Sequence, residues 1–274
     1  MISDYQTAVN NIRSILKQYI IDSKLQSLVV GLSGGIDSAL TSALAKPVCD
    51  ELNIPLYGRS ITIETNKPDE IARAKAIGEN FVSDFKEVDL TEGFKLLANL
   101  VTEEGDNDTE SRAYKIRRGN IKARTRMVYL YDLAARHRGM VLSTDNYTEL
   151  LLGFWTLHGD VGDYGMIQNL WKTEVYEMAR YIVKNLENEN AQKALQSCID
   201  AVATDGLGIT SSDLEQIQAK SYEEVDQILL KMIYNTDDFK EYENHPVIQR
   251  KIGSEYKRNN PYNIPRELIT DAPF

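Results

Sequence analysis

The sequence predicts an α/β protein built on an open parallel sheet with helices on both faces. Three observations carry that prediction. A short apolar run, Leu28–Leu32, ends in a glycine-rich turn, and an amphipathic segment follows it; this is the order of a buried strand, a tight loop and a helix N-terminus. Strand-like and helix-like segments then alternate as far as Thr144, as βαβ units do. Finally, 274 residues with 42% hydrophobic and 26% charged content suit one soluble globular domain, read here as residues 1–274.

The elements follow in order. Residues 4–22 form an amphipathic pattern with Val9, Ile12, Leu16, Tyr19 and Ile20 on one side, a face that needs a partner. A strand over 28–32 and the glycine-rich loop come next, then a helix from about Asp37 to Leu52, which Pro47 is expected to kink or split. Leu56–Ile63 alternates and contains β-branched residues, so it reads as a second strand. Pro68-Asp69-Glu70 opens a helix with proline in its first turn. Lys86–Leu90 reads as a third strand, Thr91–Val101 as a helix, Arg118 to about His137 as a long helix, and Met140–Thr144 as a short apolar strand. Thr102–Ser111 is acidic and polar, and 157–171 and 199–213 are irregular. Loops at the C-terminal edge of a parallel sheet bind ligands, and 157–171 and 199–213 are expected to act as lids. From about Asp213 the chain reads as helical and charged, an addition to the same domain without further strands.

Bulk properties exclude several classes. A net charge of −10 argues against a nucleic-acid substrate, which calls for a basic face. No apolar window is long enough to span a membrane, and the N-terminus has no basic region followed by an apolar core. Cys49 and Cys198 form no CxxC pair, which fits free core thiols in a reduced, cytoplasmic protein. The three histidines, His137, His158 and His245, lack metal-ligand spacing.

Chemistry concentrates in Ser33-Gly34-Gly35-Ile36-Asp37-Ser38. Two residues without a Cβ let the backbone turn tightly and approach a ligand, and the following helix offers unpaired N–H groups to an anion. There is no Lys-Ser/Thr pair for a Walker A loop and no Gly-x-Gly-x-x-Gly. A carboxylate at Asp37 repels an anion bound there unless a cation lies between them. The plain alternative is a strand–turn–helix in which Ser33 or Asp37 is only an N-cap.

On the helical wheel of the long helix, Ile121, Ala123, Met127, Val128, Leu130, Tyr131, Ala134 and Ala135 fill one half, with Arg124 in its middle. A guanidinium buried there needs a carboxylate or phosphate partner, whether in a structural salt bridge or on a ligand. Lys122, Arg126 and Arg136 read as a solvated face. From the residues alone, Glu149 completes a capping box from Asn146. Arg59 either contacts a bound anion or is an exposed charge at the end of its strand.

The hexapeptide 33–38 resembles the pyrophosphate loop of the N-type ATP pyrophosphatases. Gly119-Asn120-Ile121-Lys122-Ala123-Arg124-Thr125-Arg126-Met127 resembles the signature helix of the NAD synthetases, and the resemblance extends to about residue 260. No nitrilase-like glutaminase domain precedes it, so the ammonia-dependent form is expected. The resemblance implies an adenine nucleotide alpha hydrolase-like, Rossmann-like sheet with extra C-terminal helices. It implies amidation of deamido-NAD by ATP and ammonia through an adenylated intermediate, with Mg²⁺ as cofactor, in a homodimer.

The resemblance assigns ATP to Gly31, Leu32, Ser33, Gly34, Gly35, Ile36, Asp37, Ser38, Thr144, Lys172 and Thr204, and metal to Asp37 and Glu149. It gives the dinucleotide to Arg124, Asp163, Tyr256 and Lys257, and catalytic roles to Asp37, Asp163 and Lys172; Asp163 and Lys172 align after a one-residue gap. The chain departs from the family at Leu157, where a lysine is expected, at Tyr256 in place of a histidine and at Ala203 in place of a proline. The alternatives are a tRNA-modifying or other amidating ATP pyrophosphatase, or a nucleotide sensor without turnover.

Overall fold

The computed structural model describes residues 1–64, 66–103, 108–201 and 213–270. Five strands, β1 (Ser27–Gly31), β2 (Leu56–Thr62), β3 (Asp84–Asp89), β4 (Gly139–Ser143) and β5 (Tyr164–Gly165), form the sheet. Its order is β3-β2-β1-β4-β5, and every pairing is parallel. The central strand is apolar from Leu28 to Gly31 because both of its faces are covered. Leu28 and Val30 enter one core, and Val29 enters the other. Leu28 pairs with Leu56 on one side and Met140 on the other, so three apolar strands share one layer.

On one face pack α1 (Tyr5–Ser23), α2 (Ile36–Leu52), α3 (Pro68–Phe81), α7 (Lys172–Asn185) and α8 (Glu189–Ile199). The other face carries α4 (Thr91–Leu100) and α5 (Arg112–Arg136), with Phe94, Leu130, Leu133 and Ala134 against Val29, Ile61 and Val141. A third cluster joins α6 (Tyr147–Leu152) to α9 (Asp213–Gln216), α10 (Tyr222–Tyr234) and α11 (Pro246–Gly253), followed by α12 (Glu255–Arg258). Leu151, Leu152 and Trp171 dock this C-terminal helical part on the α/β body.

Some expectations need correction and others hold. The segment 157–171 is not wholly irregular, since two of its residues form β5 beside Leu142 and Ser143; a two-residue strand has no readable period. The long helix begins at Arg112, six residues before Arg118, where the Ser111 hydroxyl caps the Tyr114 N–H. The apolar face of α1 finds its partner within the chain: Val9, Leu16 and Ile20 are buried in the main core. Cys49 and Cys198 are free and buried, and burial pushes their thiols up to about 12 and about 11, which keeps them protonated and unreactive. Among the described residues no helix is long and apolar enough to cross a membrane.

Pro47 neither splits nor ends α2, which runs through it to Leu52. Proline has no N–H to give the carbonyl four residues back. That carbonyl belongs to Ala43, and Arg13 of α1 donates to it at 3.1 Å. The guanidinium replaces the missing backbone donor and ties α1 to α2 at the same point.

Arg13→Ala is therefore expected to cost about 1–3 kcal/mol, the range for a buried acceptor left unpaired. In a Pro47→Ala background, where a backbone N–H returns, the same substitution should cost clearly less. Urea unfolding of the four proteins of this cycle measures the coupling, and equal costs in both backgrounds would disprove it.

Candidate functional site

Strand order reverses between β1 and β4, and the loops leaving their C-terminal ends meet there, where open α/β sheets bind ligands. The loop after β1 turns at Gly34, with φ +80°. A Cβ at this position would lie 2.2 Å from the Glu70 carbonyl oxygen of α3, so glycine is required. Arg73, also on α3, donates its Nε–H to the Gly34 carbonyl at 2.9 Å. Gly35 is the N-cap of α2, with no side chain capping the helix. The Ser33 and Ser38 hydroxyls pair with each other at 3.2 Å, and Ser38 donates to the Gly35 carbonyl. Neither Ser33 nor Asp37 caps the helix, so the first-turn amides keep their capacity for an anion.

The loop after β4 supplies the facing wall. Asn146 caps α6 and forms a capping box with Glu149. Its Nδ2 donates to Asp37 Oδ1 at 2.8 Å, and its backbone N–H donates to Glu149 Oε2 at 3.3 Å. The remaining oxygens of both carboxylates go to one cation. Lys172 Nζ, at the start of α7, lies 2.6 Å from Asp37 Oδ2 and 3.0 Å from Glu149 Oε1. The capping-box reading of Glu149 holds, with one oxygen on the cap and the other on the ion pair.

Lys172 is only 1% exposed. Burial pulls its pKa down, but the Asp37 and Glu149 carboxylates outweigh burial and hold the ammonium well above the ordinary lysine range. Behind it, buried Asp226 of α10 accepts from the Thr148 hydroxyl at 2.6 Å and from the Thr173 N–H and hydroxyl at 3.0 and 2.8 Å. This fixes α6 and the first turn of α7, and so aims Glu149 and Lys172.

A cleft of about 990 Å³ opens over this cluster. Gly31, Leu32, Ser33, Gly35, Ile36, Asp37, Ser38, Thr144, Glu149 and Lys172 line it together, and so do Arg124, Tyr256 and Lys257. Among the described residues, twelve basic but only six acidic side chains lie along its walls, the reverse of the chain's net charge of −10. Arg59 is neither an exposed charge nor free: it is buried, pairs with Asp84 at 2.7 Å and borders the cleft. Desolvation pushes the Asp145 carboxyl well up, and the charges of Glu149, Asp160 and Asp37 push it further.

The wheel reading of α5 was off by about one residue step. Lys122 is buried and pairs with Glu64 at 3.1 Å. Arg126 is half-buried and donates to the Ile61 carbonyl. Both line the cleft, so cationic residues share the inward face with Ala123, Leu130 and Leu133. Arg124 is exposed and donates to the Leu157 carbonyl at 2.9 Å, with Val128 and Tyr131 on the outer side. Asp163 is not among the cleft residues; it is exposed beside β4, accepting from the Tyr131 hydroxyl at 2.7 Å. Thr204, Ala203 and most of the expected lid over 199–213 lie outside the described residues, as does 104–107 of the segment Thr102–Ser111. The sequence reading passed over Arg73, Asp226 and the second role of Asn146. Only Asn146 carried a signal, as the cap residue three positions before Glu149.

A sequence model of the NAD synthase family matches residues 8–261. The chain belongs to the NAD synthase family. An NH₃-dependent NAD⁺ synthetase of Thermoplasma acidophilum is 30% identical over 267 residues, covering 95% of this chain and 98% of the relative. Among solved structures, NMN synthetase from Francisella tularensis superposes with a TM-score of 0.75 at 20% identity, over 95% of this chain and 98% of that one. The NH₃-dependent NAD synthetase from Campylobacter jejuni superposes at 0.69 with 22% identity, over 96% and 98%. At those identities the two structures speak for the fold of this NAD synthase family member.

No group of three or more His, Cys, Asp or Glu suited to a metal occurs among the described residues. Asp37 and Glu149 offer two hard oxygen donors beside the anion cradle. Mg²⁺ commonly takes one or two carboxylates and completes its shell with water and substrate phosphate, so this donor set fits a Mg²⁺ that arrives with nucleotide.

At the cleft mouth, Lys257 donates to the Gly153 and Trp155 carbonyls. Burial, aided by the charge of Arg250, pushes its pKa down to about 8. From about pH 8 up to the ordinary lysine range, the unfolded chain then binds the proton that the folded chain has lost. This group's contribution to stability accordingly rises with pH through that window. Urea unfolding below, within and above it should show the rise, and Lys257→Met should flatten it; an unchanged slope would contradict the assignment.

Proposed function

We propose that the chain is an ammonia-dependent NAD⁺ synthetase. It joins ammonia to the nicotinate carboxyl of deamido-NAD at the expense of ATP, releasing AMP and pyrophosphate. The observation that carries this reading is the convergence of Asp37, Glu149 and Lys172 beneath the uncapped N-terminus of α2, within a family of that activity.

A carboxylate is a poor acylating agent, because its oxygen is a poor leaving group. In the first step a carboxylate oxygen of the nicotinate attacks the α-phosphorus and the bond to the β-phosphate bridge breaks, releasing pyrophosphate. In the second step the ammonia nitrogen attacks the acyl carbon and the C–O bond to AMP breaks; the nitrogen loses one proton to become the amide. No nucleophilic side chain is required, which agrees with two buried, protonated thiols.

The protein's contribution is positioning and neutralisation of charge. The Ser33–Ser38 amides and Lys172 would take the β- and γ-phosphates. Thr144 and Thr204 would take the rest of the nucleotide. Arg124, Tyr256 and Lys257 at the mouth, with Asp163 beyond it, would take the dinucleotide. Asp37 and Glu149 would hold Mg²⁺, which supplies Lewis-acid neutralisation of the phosphate charge when bound. The basic cleft walls favour two polyanionic substrates over a net-acidic surface. We further propose a cytoplasmic homodimer, with the exposed Val128 and Tyr131 of α5 buried between subunits.

Incubation with ATP, Mg²⁺, ammonium and deamido-NAD should yield NAD⁺ and AMP in equal amounts. AMP and pyrophosphate without NAD⁺ would refute the substrate, and no turnover of ATP would refute the activity. Asp37→Asn should lower kcat by about 10² or more, the scale for losing one preorganised electrostatic contact, and should lower the melting temperature as well, because buried Lys172 keeps only Glu149 as a charged partner; wild-type turnover would remove Asp37 from the mechanism. Light scattering should give twice the chain mass, and Val128→Asp together with Tyr131→Asp should halve it; a wild-type monomer would end the dimer assignment.

A further inference from the structure

We infer that Lys172 is a resident counter-cation that competes with the metal, so that the site takes up a divalent ion only together with a nucleotide. The inference rests on the assignment of Asp37 and Glu149 as metal ligands above. All four oxygens of those carboxylates are engaged. Asp37 Oδ1 and Glu149 Oε2 accept from Asn146. Asp37 Oδ2 and Glu149 Oε1 converge on Lys172 Nζ at 2.6 and 3.0 Å. Asn146 is itself fully buried and fixed as the cap of α6, so the pair turned toward it is not available. The two oxygens left for a metal are the two that hold the ammonium.

A divalent ion arriving alone must therefore displace a buried ammonium from both of its partners, and the displaced charge would be left desolvated against the Tyr222 ring, 5.3 Å from Nζ. That exchange is strongly opposed. A triphosphate seated on the α2 amides changes the balance, because its oxygens give Lys172 a new anionic partner beside the old one. Metal and nucleotide then help each other to bind, a positive coupling carried by one side chain. The carboxylates meanwhile stay neutralised and in place between turnovers.

The test counts Mn²⁺ bound to the full chain without nucleotide, by the EPR signal of free Mn²⁺, for wild type, Lys172→Gln, Lys172→Met and Lys172→Arg. Circular dichroism melts verify that each variant folds. Gln and Met should bind Mn²⁺ at least tenfold more tightly than wild type, and Arg, which keeps the charge, should behave as wild type. Adding Asp37→Asn to Lys172→Gln should abolish the gain. Wild-type or weaker Mn²⁺ affinity in both neutral variants overturns the inference while leaving the metal ligands in place. A separate arm follows uptake of a non-hydrolysable ATP analogue by wild-type protein with and without Mn²⁺. If Mn²⁺ has no effect there, or Asp37→Asn leaves its effect intact, the ligand assignment fails and the inference falls with it.

Discussion

The site depends on a single buried ion cluster, the Lys172 ammonium between Asp37 and Glu149. An isolated charge in that position would cost several kcal/mol, on the order expected for a desolvated ion after relaxation. It is tolerable only because two carboxylates stand within 3.0 Å of Nζ and their remaining oxygens are also bonded. Three separate segments, the first turn of α2, the cap of α6 and the start of α7, are thus brought to one point by charge. Asp226 extends the arrangement outward, since it binds Thr148 and Thr173, the neighbours of Glu149 and Lys172. Through it the C-terminal helices, which contribute nothing to the sheet, help set the geometry beside the loop after β1.

Charge is also distributed on the larger scale. The chain as a whole is acidic, with a net charge of −10, but the cleft walls are predominantly basic. Field lines from such a concave, low-dielectric wall focus on anions approaching the mouth. Small phosphorylated molecules and a negative exterior are therefore compatible in one protein.

Much of this was legible in the sequence, for identifiable reasons. The apolar run 28–32 and the Gly34-Gly35 pair are local signals, and local backbone chemistry decided both the strand and the loop. The alternation of elements was legible because covered strands are apolar on both faces. The failures lie where a partner distant in sequence overrides local pattern. Pro47 should break a helix, but Arg13, thirty residues before the freed carbonyl of Ala43, supplies the donor. Lys122 and Arg126 should face solvent, but Glu64 and a backbone carbonyl receive them inside the cleft, so counting apolar residues on a wheel misplaces the buried face. The two-residue strand β5 depends on its neighbour β4 for existence, and Asp163 stands at its entrance rather than in the cleft. Asp226 had no signature at all, because an acidic residue on an amphipathic helix usually points to water.

The arrangement around Gly34 has a thermodynamic consequence. The Glu70 carbonyl fills the space where a side chain would stand, and Arg73 holds the Gly34 carbonyl from the same helix. The loop is consequently immobilised by the protein's own packing, before any ligand arrives. Its conformational entropy was surrendered when the chain folded, so an incoming anion meets a rigid receptor and forfeits little of its binding free energy to ordering it.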